Sequence, residues 1–180
     1  MSWNANAQIN RAYLSLGSNL GDKSANLNKA IELLKERAGE VLAVSSFYET
    51  APDGFISENS FVNIALSLDT RLDVYVLLDV CEEIERELGR TTKSVNLNYS
   101  DRVIDIDILY FNNMQLATER LTLPHPRMHK RQFVLEPLAE IAPKFRHPIL
   151  GMSTLRMLSQ LGVAVPELVE GPVSPNNRLL

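Results

Sequence analysis

The chain holds a single cysteine, Cys81, which excludes an internal disulfide and fits a reducing compartment. It lacks any apolar run near the roughly 20 residues that cross a bilayer, so no membrane span is expected. Met1 to Asn10 is polar and has no apolar centre of a secretory signal; together these absences predict a cytoplasmic protein. A surplus of positive charge is missing too. The net charge is -4, which with sparse exposed aromatics argues against a general nucleic-acid binder. Gly17 and Gly21 stand at a strand-to-helix turn, but the Gly-Lys-Ser/Thr ending of a phosphate loop is absent, so they read as a tight turn.

The charge that is present is unevenly placed. From Arg86 to His147 there are ten Lys/Arg against seven Asp/Glu, whereas the remainder holds eight against fifteen. A basic stretch on an acidic chain suits a compact polyanion, such as a nucleotide, better than a long phosphate backbone. With 180 residues, 45% of them hydrophobic, the sequence favours one domain with a substantial core. That domain is expected over residues 11–165, with a frayed extension at 1–10 and a loose tail at 166–180.

Ala12 to Leu16 reads as a short buried strand ending at Gly17. Asp22 or Ser24 can cap a helix whose apolar face is Leu27, Ala30, Ile31, Leu34 and Ala38, with Gly39 as its stop. Val41 to Tyr48 is rich in β-branched and aromatic residues and predicts a strand, and Glu49 to Ser60 a long loop. Phe61 to Asp69 alternates, Val62, Ile64, Leu66 and Leu68 on one face and Phe61, Asn63, Ala65 and Ser67 on the other. Asp73 can cap a second helix with Cys81 on its apolar stripe, closed by Gly89. A polar loop follows from Arg90 to Arg102, then a strand from Val103 to Phe111 and a hairpin turn at Asn112-Asn113 into Met114 to Leu116. The order β-α-β-β-α-β predicts a ferredoxin-like α+β fold, an antiparallel sheet with both helices on one face and the other face left for loops and ligands. Beyond it, Pro124, Pro126, Pro137, Pro143 and Pro148 punctuate short helical pieces, and Thr154 to Leu161 predicts a last short helix.

Asp105 and Asp107 carry the strongest chemical signal. Residues i and i+2 of a strand point the same way, about 6.6 Å apart, so the two carboxylates project together, opposite Ile104, Ile106 and Ile108. Hard carboxylate oxygens suit Mg²⁺, above all when substrate phosphates complete its shell. Alone, the pair fits a solvated sheet face equally well. Its company is Arg90, Arg102, Arg120, Arg127, Lys130 and Arg131, the cations that phosphoryl transfer requires around a metal clamp, with His125 among them. His125, fixed between two prolines, reads as a neutral donor to phosphate rather than a metal ligand. Phe61 and Asn63 share a strand face, beside the long loop that precedes them.

Five blocks occur in order: Leu16-Gly17-Ser18-Asn19-Leu20-Gly21, Ser45 to Thr50, Phe61-Val62-Asn63, Asp101 to Ile108, and Pro124-His125. From about Ala12 to Leu161 the chain closely resembles the 6-hydroxymethyl-7,8-dihydropterin pyrophosphokinases of folate biosynthesis. The resemblance implies transfer of a diphosphate from ATP to the pterin hydroxymethyl group, releasing AMP. It implies that Asp105 and Asp107 bind two Mg²⁺ ions, and that Arg90 and Arg102, on a mobile loop, stabilise the transferring group. It assigns Glu85, Arg120, Thr122, His125 and Arg131 to ATP, and Thr50, Phe61, Asn63, Tyr99 and Phe133 to the pterin. A monomer is expected. Where the family commonly has aromatic-Gly-Pro-Arg, this chain has Tyr99-Ser100-Asp101-Arg102; Thr92 and Ala51 also depart, which implies tuning of loop closure and ATP affinity.

Two other classes compete. A non-catalytic nucleotide-binding module would tolerate loss of Asp105 and Asp107, and a metal-dependent phosphohydrolase would release phosphate without pterin. Neither calls for the Phe61–Asn63 pair together with the long arginine-bearing loop.

Overall fold

The computed structural model describes residues 8–51, 59–89 and 101–164. At its centre is β1 (Asn10–Ser18), whose Ala12, Leu14 and Leu16 are fully buried on one face. The Asp22 side chain accepts a hydrogen bond from the Ala25 N–H, which settles the choice of cap for α1 (Lys23–Arg37). The helix ends at Gly39, where φ is +150° and a Cβ would stand 2.2 Å from the Asp69 carbonyl oxygen, so only glycine fits the return. The chain continues through β2 (Glu40–Val44), β3 (Tyr48–Thr50) and β4 (Phe61–Thr70). Asp73 caps α2 (Val74–Glu87) through the Tyr75 and Val76 N–H groups, and β5 (Asp105–Phe111) completes the main sheet.

The sheet is antiparallel in the order β2-β4-β1-β5, with β3 also on β4. This is the ferredoxin-like arrangement expected. α1 and α2 bury Leu27, Ala30, Leu34, Leu77, Cys81 and Ile84 against Leu14, Leu16, Leu66 and Leu68 of the strands. Cys81 is core, as its place on the stripe predicts, and burial pushes its thiol pKa up.

Three expectations need correction. The strand predicted from Val41 to Tyr48 breaks in two, because the Ser45 hydroxyl accepts the Ala65 N–H and Glu140 grips the Ser46 N–H, bending the chain between β2 and β3. Glu49 and Thr50 consequently lie in β3 rather than in a loop. The turn at Asn112-Asn113 forms, but the following segment does not fold back on β5; β6 (Leu116–Ala117) pairs with β7 (Thr122–Leu123) instead. The outer edge of β5 is already occupied, its Ile106 N–H by the Glu85 carboxylate and its Leu109 carbonyl by the His125 N–H.

The third correction concerns the sheet face left for ligands. Its lower half is a second core, in which α3 (Gln132–Ile141) and α4 (Thr154–Gln160) bury Val134, Leu135, Leu138, Met157 and Leu158 on Tyr13, Ala65, Leu109 and Tyr110. Pro137 lies inside α3 rather than ending it; the proline cannot donate a hydrogen bond, but its ring is buried in the helix's packed face. Leu109 is an extra residue on β5: Tyr13 and Leu14, adjacent on β1, face Tyr110 and Ile108. Among the described residues no helix is long and apolar enough to cross a membrane.

Candidate active site

Along the open face of β1 the side chains shrink from Tyr13 to Ser15 to Gly17, so the cover provided by α3 stops and a cleft begins. Register sets its walls. Asp107 lies opposite Ser15, and Asp105 opposite Gly17, on β5; Asn63 lies opposite Gly17 on the other side, on β4. The two carboxylates therefore enter the cleft together, as their i, i+2 spacing predicts, while Ile106 and Ile108 are buried beneath the sheet.

Gly17 is required by its neighbour. A Cβ there would stand 2.8 Å from Asn63 Oδ1, so the amide can lie flat on the sheet only beside a glycine. Asn63 Nδ2 donates to Thr50 Oγ1 at 2.8 Å, and Thr50 faces Phe61 across the β3–β4 pair. From the opposite wall, Arg131 and Phe133 enter at the start of α3, the guanidinium 5.5 Å from the ring centroid. Arg102 comes from the segment before β5 and donates to the Asp105 carboxylate. Thr50, Phe61, Asn63, Arg102, Asp105, Asp107, Arg131 and Phe133 thus share one cleft, and Ala51 joins its lining.

His125 stands at the margin, its Nε2 4.0 Å from Asp107 Oδ2, beyond hydrogen-bond range. Burial, then the charges of Arg131 and Arg127, lower its pKa to about 4, so the ring is neutral at neutral pH. Its Nδ1 accepts the Arg127 N–H at 3.3 Å, which places the ring proton on Nε2, facing the carboxylate side.

Other expected residues are placed elsewhere. Arg120 is exposed and donates to Asp79 of α2 at 2.6 Å, its guanidinium 5.9 Å over the Tyr75 ring. Thr122 is exposed on β7. Glu85 is buried, with 5% exposure, and accepts the Ile106 N–H at 2.7 Å, supporting β5 from the helix side. Arg90 and Tyr99 lie outside the described residues. Sequence reasoning did not single out Ser15, although strand alternation puts it on the same face as Gly17.

The donor set fits Mg²⁺. No group of three or more His, Cys, Asp or Glu that could hold a metal occurs among the described residues. Two carboxylates facing open space suit an ion that takes its remaining oxygens from phosphates and water, and do not suit a closed zinc site.

The model of the 7,8-dihydro-6-hydroxymethylpterin-pyrophosphokinase family matches residues 13–143. The chain belongs to this family. It is 47% identical over 137 residues to the 2-amino-4-hydroxy-6-hydroxymethyldihydropteridine pyrophosphokinase of Porphyromonas gingivalis, covering 76% of this chain and 92% of that one. The Bacillus subtilis enzyme of the same name is 46% identical over 133 residues, 73% of this chain and 78% of that protein. The pyrophosphokinase therefore transfers a pyrophosphoryl group onto hydroxymethyldihydropterin in folate biosynthesis. The crystal structure of wild-type Plasmodium falciparum HPPK-DHPS shares the fold, with a TM-score of 0.69 at 17% identity over 87% of this chain. The present chain spans 45% of that structure, less than half of its length.

Proposed function

We propose that this cleft seats the pterin between Phe61 and Phe133, with Asn63 and Thr50 reading its edge, and holds the ATP phosphates against Asp105 and Asp107. The observation that carries the reading is the single register that sets Asn63 and Asp105 on either side of Gly17, one facing a heteroaromatic edge and the other a phosphate clamp. Asp105 and Asp107 would hold two Mg²⁺ ions, which when bound supply charge neutralisation on the phosphate oxygens.

The protein's own groups do the rest. Phe61 and Phe133 orient the ring so that its hydroxymethyl oxygen faces the β-phosphorus. That oxygen forms the new P–O bond as the bond from the β-phosphorus to the α,β-bridging oxygen breaks. The bridging oxygen leaves with AMP, and the hydroxyl proton passes to solvent. Arg102 and Arg131 absorb negative charge on the transferring group, and neutral His125 donates from Nε2 to a phosphate oxygen. Arg120 and Thr122 complete the nucleotide site from the β6–β7 side, with Glu85 supporting β5. The contributions of Arg90 and Tyr99 to loop and pterin contacts rest on sequence resemblance alone. A monomer and a cytoplasmic location belong to the same reading.

AMP formation from ATP and Mg²⁺, followed with and without 6-hydroxymethyl-7,8-dihydropterin, tests this directly. Pterin-dependent AMP is expected, and Asp105→Asn should lower kcat by at least about a hundredfold at saturating Mg²⁺. Near-normal turnover in that variant would sink the metal assignment, and phosphate release without pterin would indicate a hydrolase.

A further inference from the structure

Asp101 lies outside the cleft lining, yet it is the centre of a three-way junction. Asn19, just beyond β1 and 2% exposed, donates from Nδ2 to Asp101 Oδ1 at 2.7 Å. The same amide accepts the Arg102 N–H on its Oδ1 at 2.7 Å, and the Asn19 backbone N–H donates to the Arg102 carbonyl at 3.1 Å. Asp101 Oδ2 accepts a further bond, at 2.8 Å, from Nδ2 of Asn59, two residues before Phe61. One carboxylate thus ties together the turn after β1, the entry to β4 and the entry to β5.

The chemistry gives that carboxylate a directing role. An asparagine amide can present either end, and its two ends have opposite hydrogen-bond character. A carboxylate only accepts, so Asp101 draws the NH₂ end of Asn19 toward itself and leaves the oxygen for the Arg102 N–H. Both backbone groups of Arg102 are then held by one residue of the turn after β1. From this fixed point the Arg102 side chain reaches Asp105.

We propose that Asp101 is a positioning residue for the pyrophosphoryl transfer, acting through Asn19 to hold Arg102 where it meets the transferring phosphate. The proposal rests on the reading of Arg102 given above. It predicts an effect on kcat rather than on pterin affinity, because the pterin walls do not include the junction. It also predicts that the effect exists only while Arg102 is present to be positioned.

The test is steady-state AMP formation by the full chain carrying Asp101→Ala, Asp101→Asn, Arg102→Ala, and the Asp101→Ala/Arg102→Ala pair. Asp101→Ala is expected to lower kcat by about tenfold to a hundredfold with KM for the pterin changed by less than about twofold. Asp101→Asn should recover most of the loss, since its Oδ1 can still accept from Asn19 while Asn59 reverses its own amide. In the Arg102→Ala background, adding Asp101→Ala should change kcat by less than about twofold. A full additive loss in that background would overturn the proposal, as would an Asp101→Ala enzyme with normal kcat. Equal damage in Asp101→Asn and Asp101→Ala would also overturn it, by showing that the charge matters and not the amide orientation. Near-normal kcat in Arg102→Ala alone would instead overturn the reading of Arg102, which separates the two failures.

Discussion

The Asn63 carboxamide lies against the backbone of Gly17, where an added Cβ would stand 2.8 Å from its Oδ1, and its NH₂ is committed to Thr50. Gly17→Ala should therefore tilt the amide away from the plane in which, on the proposed reading, it meets the pterin edge. KM for the pterin is expected to rise about tenfold, with a smaller change in kcat and little change in Tm, as measured by steady-state kinetics and thermal unfolding. His147 tests protonation far from the cleft. It is buried, and its Nδ1 accepts the Ile149 and Leu150 N–H groups at 3.2 Å each. Burial, then the charge of His129, lowers its pKa. The unfolded chain therefore takes up this proton first, so stability is full above about pH 6.5 and falls as the pH drops below it. His147→Asn keeps an acceptor but cannot titrate, and denaturant unfolding at several pH values should show a shallower acid loss, the remaining slope including that of His125. At this scale the sequence was legible where alternation along one strand decides which face a side chain takes: Asp105 with Asp107, and Phe61 with Asn63, enter the cleft as pairs. It was not legible where a side chain acts on a distant segment. Asn19 lies 83 positions from the Arg102 N–H it accepts, and no local pattern marks that contact.

Between elements, the two walls of the proposed pterin slot are joined by Glu140 of α3. Its carboxylate accepts the Ser46 N–H and hydroxyl and the Tyr48 hydroxyl, clamping the bend that leads into β3 and Thr50. Burial opposes ionisation of Glu140, but these donors outweigh it and hold its pKa below the ordinary glutamate value. Glu140→Ala should let β3 drift from α3, which carries Phe133. The expected result is a severalfold rise, of order threefold to tenfold, in KM for the pterin, with kcat changed less, and binding of the pterin alone should weaken in parallel. The interruption between β2 and β3 escaped sequence reading because Val41, Val44, Phe47 and Tyr48 read as one strand across Ser45-Ser46. The bend is imposed by Ser45 and Glu140, which is a tertiary override of local preference. The β6–β7 pairing was hidden for a related reason, since the occupied edge of β5 becomes visible only once Glu85 and His125 are in place.

The whole molecule is a sheet with a core on each face, and only one of them borders the chemistry. Leu34 of α1 and Leu138 of α3 are both fully buried, and truncating either to alanine should cost roughly 2–5 kcal/mol of stability. The two variants should differ in function. Leu138→Ala loosens the helix that carries Phe133, so KM for the pterin should rise, whereas Leu34→Ala should leave KM unchanged at temperatures where it remains folded. Ferredoxin-like topology was readable from the order of strands and helices; the second core was not, because α3 contains Pro137 and its sequence reads as a series of interruptions. The extra residue at Leu109 gives β5 a step in phase. Before it, odd-numbered residues face the cleft and even-numbered ones the helices; after it, Tyr110 takes the cleft side and Phe111 the helix side. Leu109 and Tyr110, neighbours in the chain, therefore both pack on the second core, while Asp105 and Asp107 keep the same side of the sheet free of it.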